Sequence, residues 1–134
     1  MARLDVHLVT PEREVWTGEA TFVVVRGVDG DIGILPGHTP LLAALAVGPV
    51  FIDADSGRTG AVVDGGFLHV AHDDDTTRVD ILAERAVLQD ELSGEDLSGL
   101  ERHAEELRGQ GRHDEARIEE ARVRARRRVS ESQG

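Results

Sequence analysis

Hydrophobic and polar positions alternate along the first two-thirds of the chain. Leu4, Val6 and Leu8 interleave with Asp5 and His7, the two-residue period of a strand with one face buried. Thr10-Pro11-Glu12 predicts a turn. Glu14 to Trp16 begins a second strand, which Gly18 is expected to end. Ala20 to Arg26 (ATFVVVR) is rich in β-branched residues and predicts a central strand, turned at Gly27 to Gly30. Thr39 to Val47 is apolar, and its Leu and Ala would also suit a helix, but Pro40, Gly48 and Pro49 argue for extended structure. Val50 to Ala54 predicts a hairpin with Gly60 to Val63 through Asp55-Ser56-Gly57. Asp64-Gly65-Gly66 reads as another turn, Phe67 to Ala71 as a strand, Asp73-Asp74-Asp75 as a loop tip and Thr77 to Leu82 as a strand. Short strands with a turn signal about every ten residues predict a β-sandwich or flattened barrel.

The period changes near Gln89. Leu97, Leu100, Ala104 and Leu107 recur at spacings of three and four, one stripe of a helix. Ser93 is the expected N-cap, with Asp96 three residues on, and Gly109 and Gly111 are expected to end the helix. A second helix, with Asp114 as its expected cap, carries a thinner stripe of Ile118, Ala121 and Ala125. Its acidic residues come early and its arginines late, which suits the helix dipole. The expected organisation is therefore a β-sandwich over residues 1–89 and an antiparallel helical hairpin over residues 90–134, the hairpin held only weakly.

Composition narrows what such a fold can do. The 134 residues suffice for one domain with a small appendage and a real core. Aromatics are few, Trp16, Phe22, Phe51 and Phe67 with no Tyr, so the core must be built from Val, Leu, Ile and Ala; cysteine is absent, which excludes disulfides and thiolate metal sites. Lysine is absent too, since all 15 basic residues are Arg; that excludes a P-loop lysine and Schiff-base chemistry. A net charge of −11 argues against nucleic acid as a partner. No apolar run approaches the roughly 20 residues of a membrane helix, and the charged start does not resemble a signal peptide. A soluble intracellular protein without direct membrane insertion is the expectation.

Candidate chemistry is sparse. His69 and His72 with Asp73 to Asp75 could suggest a metal, but a spacing of three on a strand sends the two histidines to opposite faces. Asp29 and Asp31 around Gly30 lack the remaining ligands of a calcium loop. None of the five serines stands in a G-x-S-x-G setting. No cofactor is expected. The six histidines do not form the inward-facing ligand set of a small cupin-like enzyme, which stays an alternative reading beside a free-standing binding module.

The stretch GDIGILPGHTPLL, Gly30 to Leu42, stands out: two glycines and two prolines punctuate an apolar segment and predict sharp corners between strands. With GGFLHV at Gly65 to Val70 and VDILAERA at Val79 to Ala86, it resembles the epsilon subunit of the bacterial rotary ATP synthase. The resemblance implies a β-sandwich with two C-terminal helices. It implies a non-catalytic subunit of the central stalk that couples proton flow to ATP synthesis at the cytoplasmic face of the plasma membrane. The implied partners are the gamma subunit, the c ring and the alpha/beta catalytic head. Asp29, Gly30 and Asp31 would face the c ring, and His38 would lie near gamma. Arg122, Arg124, Arg126, Arg127 and Arg128 would dock on the head when the hairpin extends and inhibits hydrolysis. Some members of that family bind ATP through I/L-D-x-x-R-A at the start of the first helix. Here the matching place reads Leu92-Ser93-Gly94-Glu95-Asp96-Leu97, with a carboxylate where a phosphate would want a cation, so no useful ATP binding is expected.

Overall fold

The computed structural model describes residues 3–92 and 94–131; the cap expected at Ser93 falls outside them. Eight strands follow one another: β1 (Leu4–Val9), β2 (Glu14–Ala20), β3 (Phe22–Gly27), β4 (Gly30–Ile34), β5 (Leu41–Ala54), β6 (Gly57–Asp73), β7 (Thr76–Ala83) and β8 (Ala86–Leu88). A 3-10 turn, Gln89–Glu91, leads to helices α1 (Gly94–Gly109) and α2 (His113–Glu131). The strands pair in the order β2-β1-β7-β6-β5-β3-β4, with β8 also on β6.

Two long strands make this sheet into a sandwich. The first part of β5 pairs with the last part of β6, which carries β7, then β1 in parallel, then β2. The last part of β5 pairs with the first part of β6 and is flanked by β3, β4 and β8. The ribbon turns from one layer to the other at a corner where Ala46 and Gly65 drop out of the pairing. The inward-facing residues change parity there: Ala61 and Val63 point into the core before the corner, Leu68 and Val70 after it. Asp64-Gly65-Gly66 is thus a bend inside a continuous strand and not the turn between two strands expected from its composition. Gly66, at φ +129°, is required: a Cβ would stand 2.1 Å from the Leu82 carbonyl oxygen. Thr39 to Val47 enters β5 as extended chain from Leu41, Gly18 lies within β2, and β8 was not foreseen.

The core between the layers is aliphatic, with Leu4, Leu8, Ile34, Ile52, Leu68 and Ile81 fully buried. The second layer has a covered outer face as well. Phe51 and Val62 point outward and are covered by Ala125 and Val129 of α2. This explains why the segments around them read as unbroken hydrophobic runs: both faces of those strands are buried. Gly60 makes the close approach possible, since a Cβ there would stand 3.0 Å from Val129 Cγ1.

In the hairpin, α1 buries Ala104 and Leu107 of its expected stripe and ends at Gly109. Gly111 takes φ +76°, with the Arg112 N–H bonded to the Leu107 carbonyl (2.9 Å) and the Gly111 N–H to the Arg108 carbonyl (3.1 Å), a Schellman ending. Asp114 is not a cap; it lies inside the first turn of α2 and pairs with Arg117 at 3.0 Å. The stripe of α2 also differs from expectation. Ala116, Glu119, Val123, Ala125 and Val129 are buried, while Ile118 is 47% exposed. The helix is covered from two directions, by α1 and by β5 and β6, so its buried positions do not form the single row that periodicity assumes.

Candidate partner-docking surfaces

The loops flanking β4 hold the residues singled out between Asp29 and His38. β3 and β4 form a two-residue hairpin at Val28-Asp29, with Gly27 opposite Gly30 and Arg26 opposite Asp31. Gly30 and Asp31 therefore belong to an edge strand, not to a corner. Asp29 is exposed at the tip, and Asp31 is an ion-pair partner of Arg26. The Val28 N–H bonds to the Ala44 carbonyl (3.1 Å) and ties the tip to β5.

His38 lies in the loop between β4 and β5. Its backbone N–H bonds to the Leu35 carbonyl (3.0 Å), and its Nδ1 donates to the Thr39 carbonyl (2.7 Å). The His38 carbonyl accepts from His72 Nε2 at 2.7 Å. The Gly37 N–H bonds to Oγ1 of the buried Thr77 at 2.8 Å. His38 thus helps hold its own loop together, and its ring is only half covered. His72 serves this loop, whereas His69 faces Asp80 across the sheet, 3.9 Å from its Oδ2.

Between the two loops the outer face of the first layer carries a patch that periodicity did not reveal. Leu42 is 69% exposed, Phe67 54% and Leu82 49%. Phe67 stands opposite Ala44 on one side and Leu82 on the other, and Leu42 is opposite His69, so the patch spans three neighbouring strands. Val28 and Leu35 add exposed apolar side chains in the flanking loops. A sequence signal exists: Leu41-Leu42, Phe67-Leu68 and Ile81-Leu82 are adjacent apolar pairs where a half-buried strand should alternate. One member of each pair points inward and the other to solvent.

The five arginines late in α2 do not act as one solvated cluster. Arg122 Nε is 3.0 Å from Asp64 Oδ2 at the β6 corner, and the same guanidinium holds Glu119. Arg126 reaches Asp96 at 2.9 Å, and Arg127 reaches Glu101 at 3.0 Å. Arg128 lies over the Phe51 ring, 5.5 Å from its centre. Arg124 and Arg128 line a cavity of about 240 Å³ with Arg26, Gly48 and Pro49. Burial alone would raise the Glu119 carboxyl, but the bonds from His103 and Arg122 outweigh it and hold the group below the usual glutamate range. Burial likewise opposes the charge of Arg122, and Glu119 and Asp64 reverse that effect.

A family model for the ATP synthase, Delta/Epsilon chain, beta-sandwich domain matches residues 3–89. Over 125 residues the chain is 44% identical to the ATP synthase epsilon chain of Streptomyces coelicolor, covering 92% of this chain and 95% of that one. The chain belongs to the ATP synthase epsilon family. The epsilon chain of Thermobifida fusca is also 44% identical, over 89% of this chain and 96% of its own. Both alignments run past residue 89, so the likeness to epsilon chains includes the hairpin. A chain in the cryo-EM structure of the Euglena gracilis mitochondrial ATP synthase shares the fold, with a TM-score of 0.78 at 24% identity over 93% of this chain and 79% of that one.

Proposed function

We propose that the chain is a non-catalytic central-stalk subunit of a proton-translocating ATP synthase, joining gamma to the c ring and coupling proton flow to ATP synthesis. The observation that carries the docking part is the Leu42, Phe67 and Leu82 patch. Three large apolar side chains exposed side by side on one sheet mark a surface that gains from being covered, at about 25 cal/mol per Å² removed from water. Gamma is the proposed cover, with His38 at the margin. The β3–β4 tip, with Asp29, Gly30 and Asp31, is the proposed contact to the c ring. The subunit would lie at the cytoplasmic face of the plasma membrane through these partners; among the described residues no helix is long and apolar enough to cross a membrane.

The hairpin is the proposed inhibitor of ATP hydrolysis, docking the five arginines on carboxylates of the alpha/beta head. Arg124 and Arg128 would leave the cavity they line beside Gly48 and Pro49, and Arg122, Arg126 and Arg127 would exchange their internal carboxylates for those of the head. Nucleotide is not part of this reading, because Asp96 puts a carboxylate at the mouth of the ATP-binding pattern and already holds Arg126.

Co-purification tests the assignment. Phe67→Asp with Leu82→Asp should leave a folded subunit that no longer co-purifies with gamma; undiminished co-purification would remove the patch from the interface. The chain has no native cysteine, so single cysteines at 31 and 38 should cross-link to c and to gamma respectively. Deleting residues 112–134 should raise hydrolysis by the membrane-bound complex while leaving assembly intact.

A further inference from the structure

Thr77 places a hydroxyl in an apolar row. It heads the inward-facing positions of β7, ahead of Val79 and Ile81, and is 1% exposed. A valine would fill the same space without a polar atom to satisfy. The hydroxyl serves another segment instead, since its Oγ1 accepts from the Gly37 N–H at 2.8 Å. His72 stands directly opposite Thr77 on β6. Its Nε2 donates to the His38 carbonyl at 2.7 Å. One cross-strand pair thus grips two consecutive residues of the loop between β4 and β5.

That loop has a defined shape. The His38 N–H bonds to the Leu35 carbonyl at 3.0 Å and closes a turn from Leu35 to His38. Pro36 takes its second position and Gly37, at φ +89°, its third, the residue pattern of a type II turn. Leu35 is left 60% exposed at the start of the turn. The internal bond sets the shape of the turn; Thr77 and His72 fix where it stands on the sandwich.

We infer that Thr77 and His72 are positioning residues for docking: together they hold the Leu35–His38 turn where Leu35 and His38 meet gamma. This rests on the reading that gamma covers this side of the sandwich. A turn already in place loses little freedom when a partner arrives, so more of the gain from covering Leu35 appears as affinity. Thr77 is the stronger of the two, because its hydroxyl lies on a buried residue. His72 is exposed, and water competes with it for the His38 carbonyl.

Titration of the full chain with purified gamma tests it. Thr77→Val keeps the shape of the side chain and removes the acceptor; Thr77→Ser keeps the acceptor and removes a buried methyl. Thr77→Val should weaken binding about five- to tenfold, the worth of one hydrogen bond, and Thr77→Ser should stay within about twofold. The Gly37 amide should exchange with solvent about tenfold faster in Thr77→Val and at the unmodified rate in Thr77→Ser. A merely structural role would make affinity follow the unfolding midpoint across this pair, whereas positioning makes it follow the hydroxyl. His72→Ala should weaken binding about threefold, and His72→Gln, which keeps a nitrogen donor, should restore it. With Leu35→Ser already in place, Thr77→Val should cost no further affinity. Binding as tight in Thr77→Val as in the unmodified chain would overturn the positioning role and leave gamma docking standing. Equal losses in Thr77→Val and Thr77→Ser would do the same. If Thr77→Val does not fold, the exposed His72 decides: unchanged affinity in His72→Ala would overturn the clamp. An unmodified chain that does not bind gamma would overturn the docking reading itself, and the positioning role with it.

Discussion

Leu68, Val70, Val79 and Ile81 in the sandwich have no exposure at all, and each lies between paired strands. The hairpin buries alanines, two valines and a leucine, and surrounds them with a ladder of ion pairs. The first region is held by apolar area removed from water on both sides of a closed core. The second is held by a thinner apolar seam together with ion pairs, several of which are exposed to water and salt.

The strongest way to break the comparison is to cut the same kind of group from each region. Leu68→Ala should lower the unfolding free energy of the sandwich by about 2–5 kcal/mol, since a buried leucine leaves both a transfer loss and a cavity. Val123→Ala, in the seam between the helices, should leave the sandwich midpoint in place and reduce only helicity. Chemical denaturation followed by Trp16 fluorescence and by helical circular dichroism separates the two. Equal losses in both signals would mean the regions share one core.

Acid should sharpen the contrast. The folded hairpin holds the Glu119 carboxyl below its ordinary range, so its charged form favours folding. That contribution is complete above the ordinary glutamate value and is lost as pH falls through the lower folded value. Glu120, held down by its bond from Arg108, adds in the same direction. Helicity should therefore fall at acid pH, and Glu119→Gln should flatten that response. A helical signal as acid-sensitive in Glu119→Gln as in the unmodified chain would put the dependence elsewhere.

The smallest effect is expected at the solvent-facing rung of the ladder. Arg127 and Glu101 are both about half exposed, so Arg127→Ala should cost under about 1 kcal/mol in helix stability and less in high salt. A larger loss, read from the thermal midpoint of the helical signal, would mean that even the exposed pairs carry the hairpin.

Much of this was legible beforehand, and the exceptions share a cause. Alternation at Leu4 to Leu8 and the β-branched run at Ala20 to Arg26 declared strands because a single buried face imposes a period of two. The change of period after Gln89 declared helices, and Gly111 stood where a left-handed ending was needed. What could not be read is anything set by a second covering surface. Phe51 and Val62 are buried by a helix more than sixty residues away, and Ile118 is exposed because α2 meets its neighbours from two other sides.

The sequence by itself determined the strand and helix classes, the family through Gly30 to Leu42 and its companions, and the exclusion of lysine and cysteine chemistry, because these depend on local backbone preference and on which groups exist at all. The tertiary structure decided the rest. It made Asp64-Gly65-Gly66 a bend within one strand, set Leu42, Phe67 and Leu82 side by side, and divided five consecutive-looking arginines among separate partners. Those outcomes depend on which distant surfaces come together, and a local pattern carries no record of its distant neighbours.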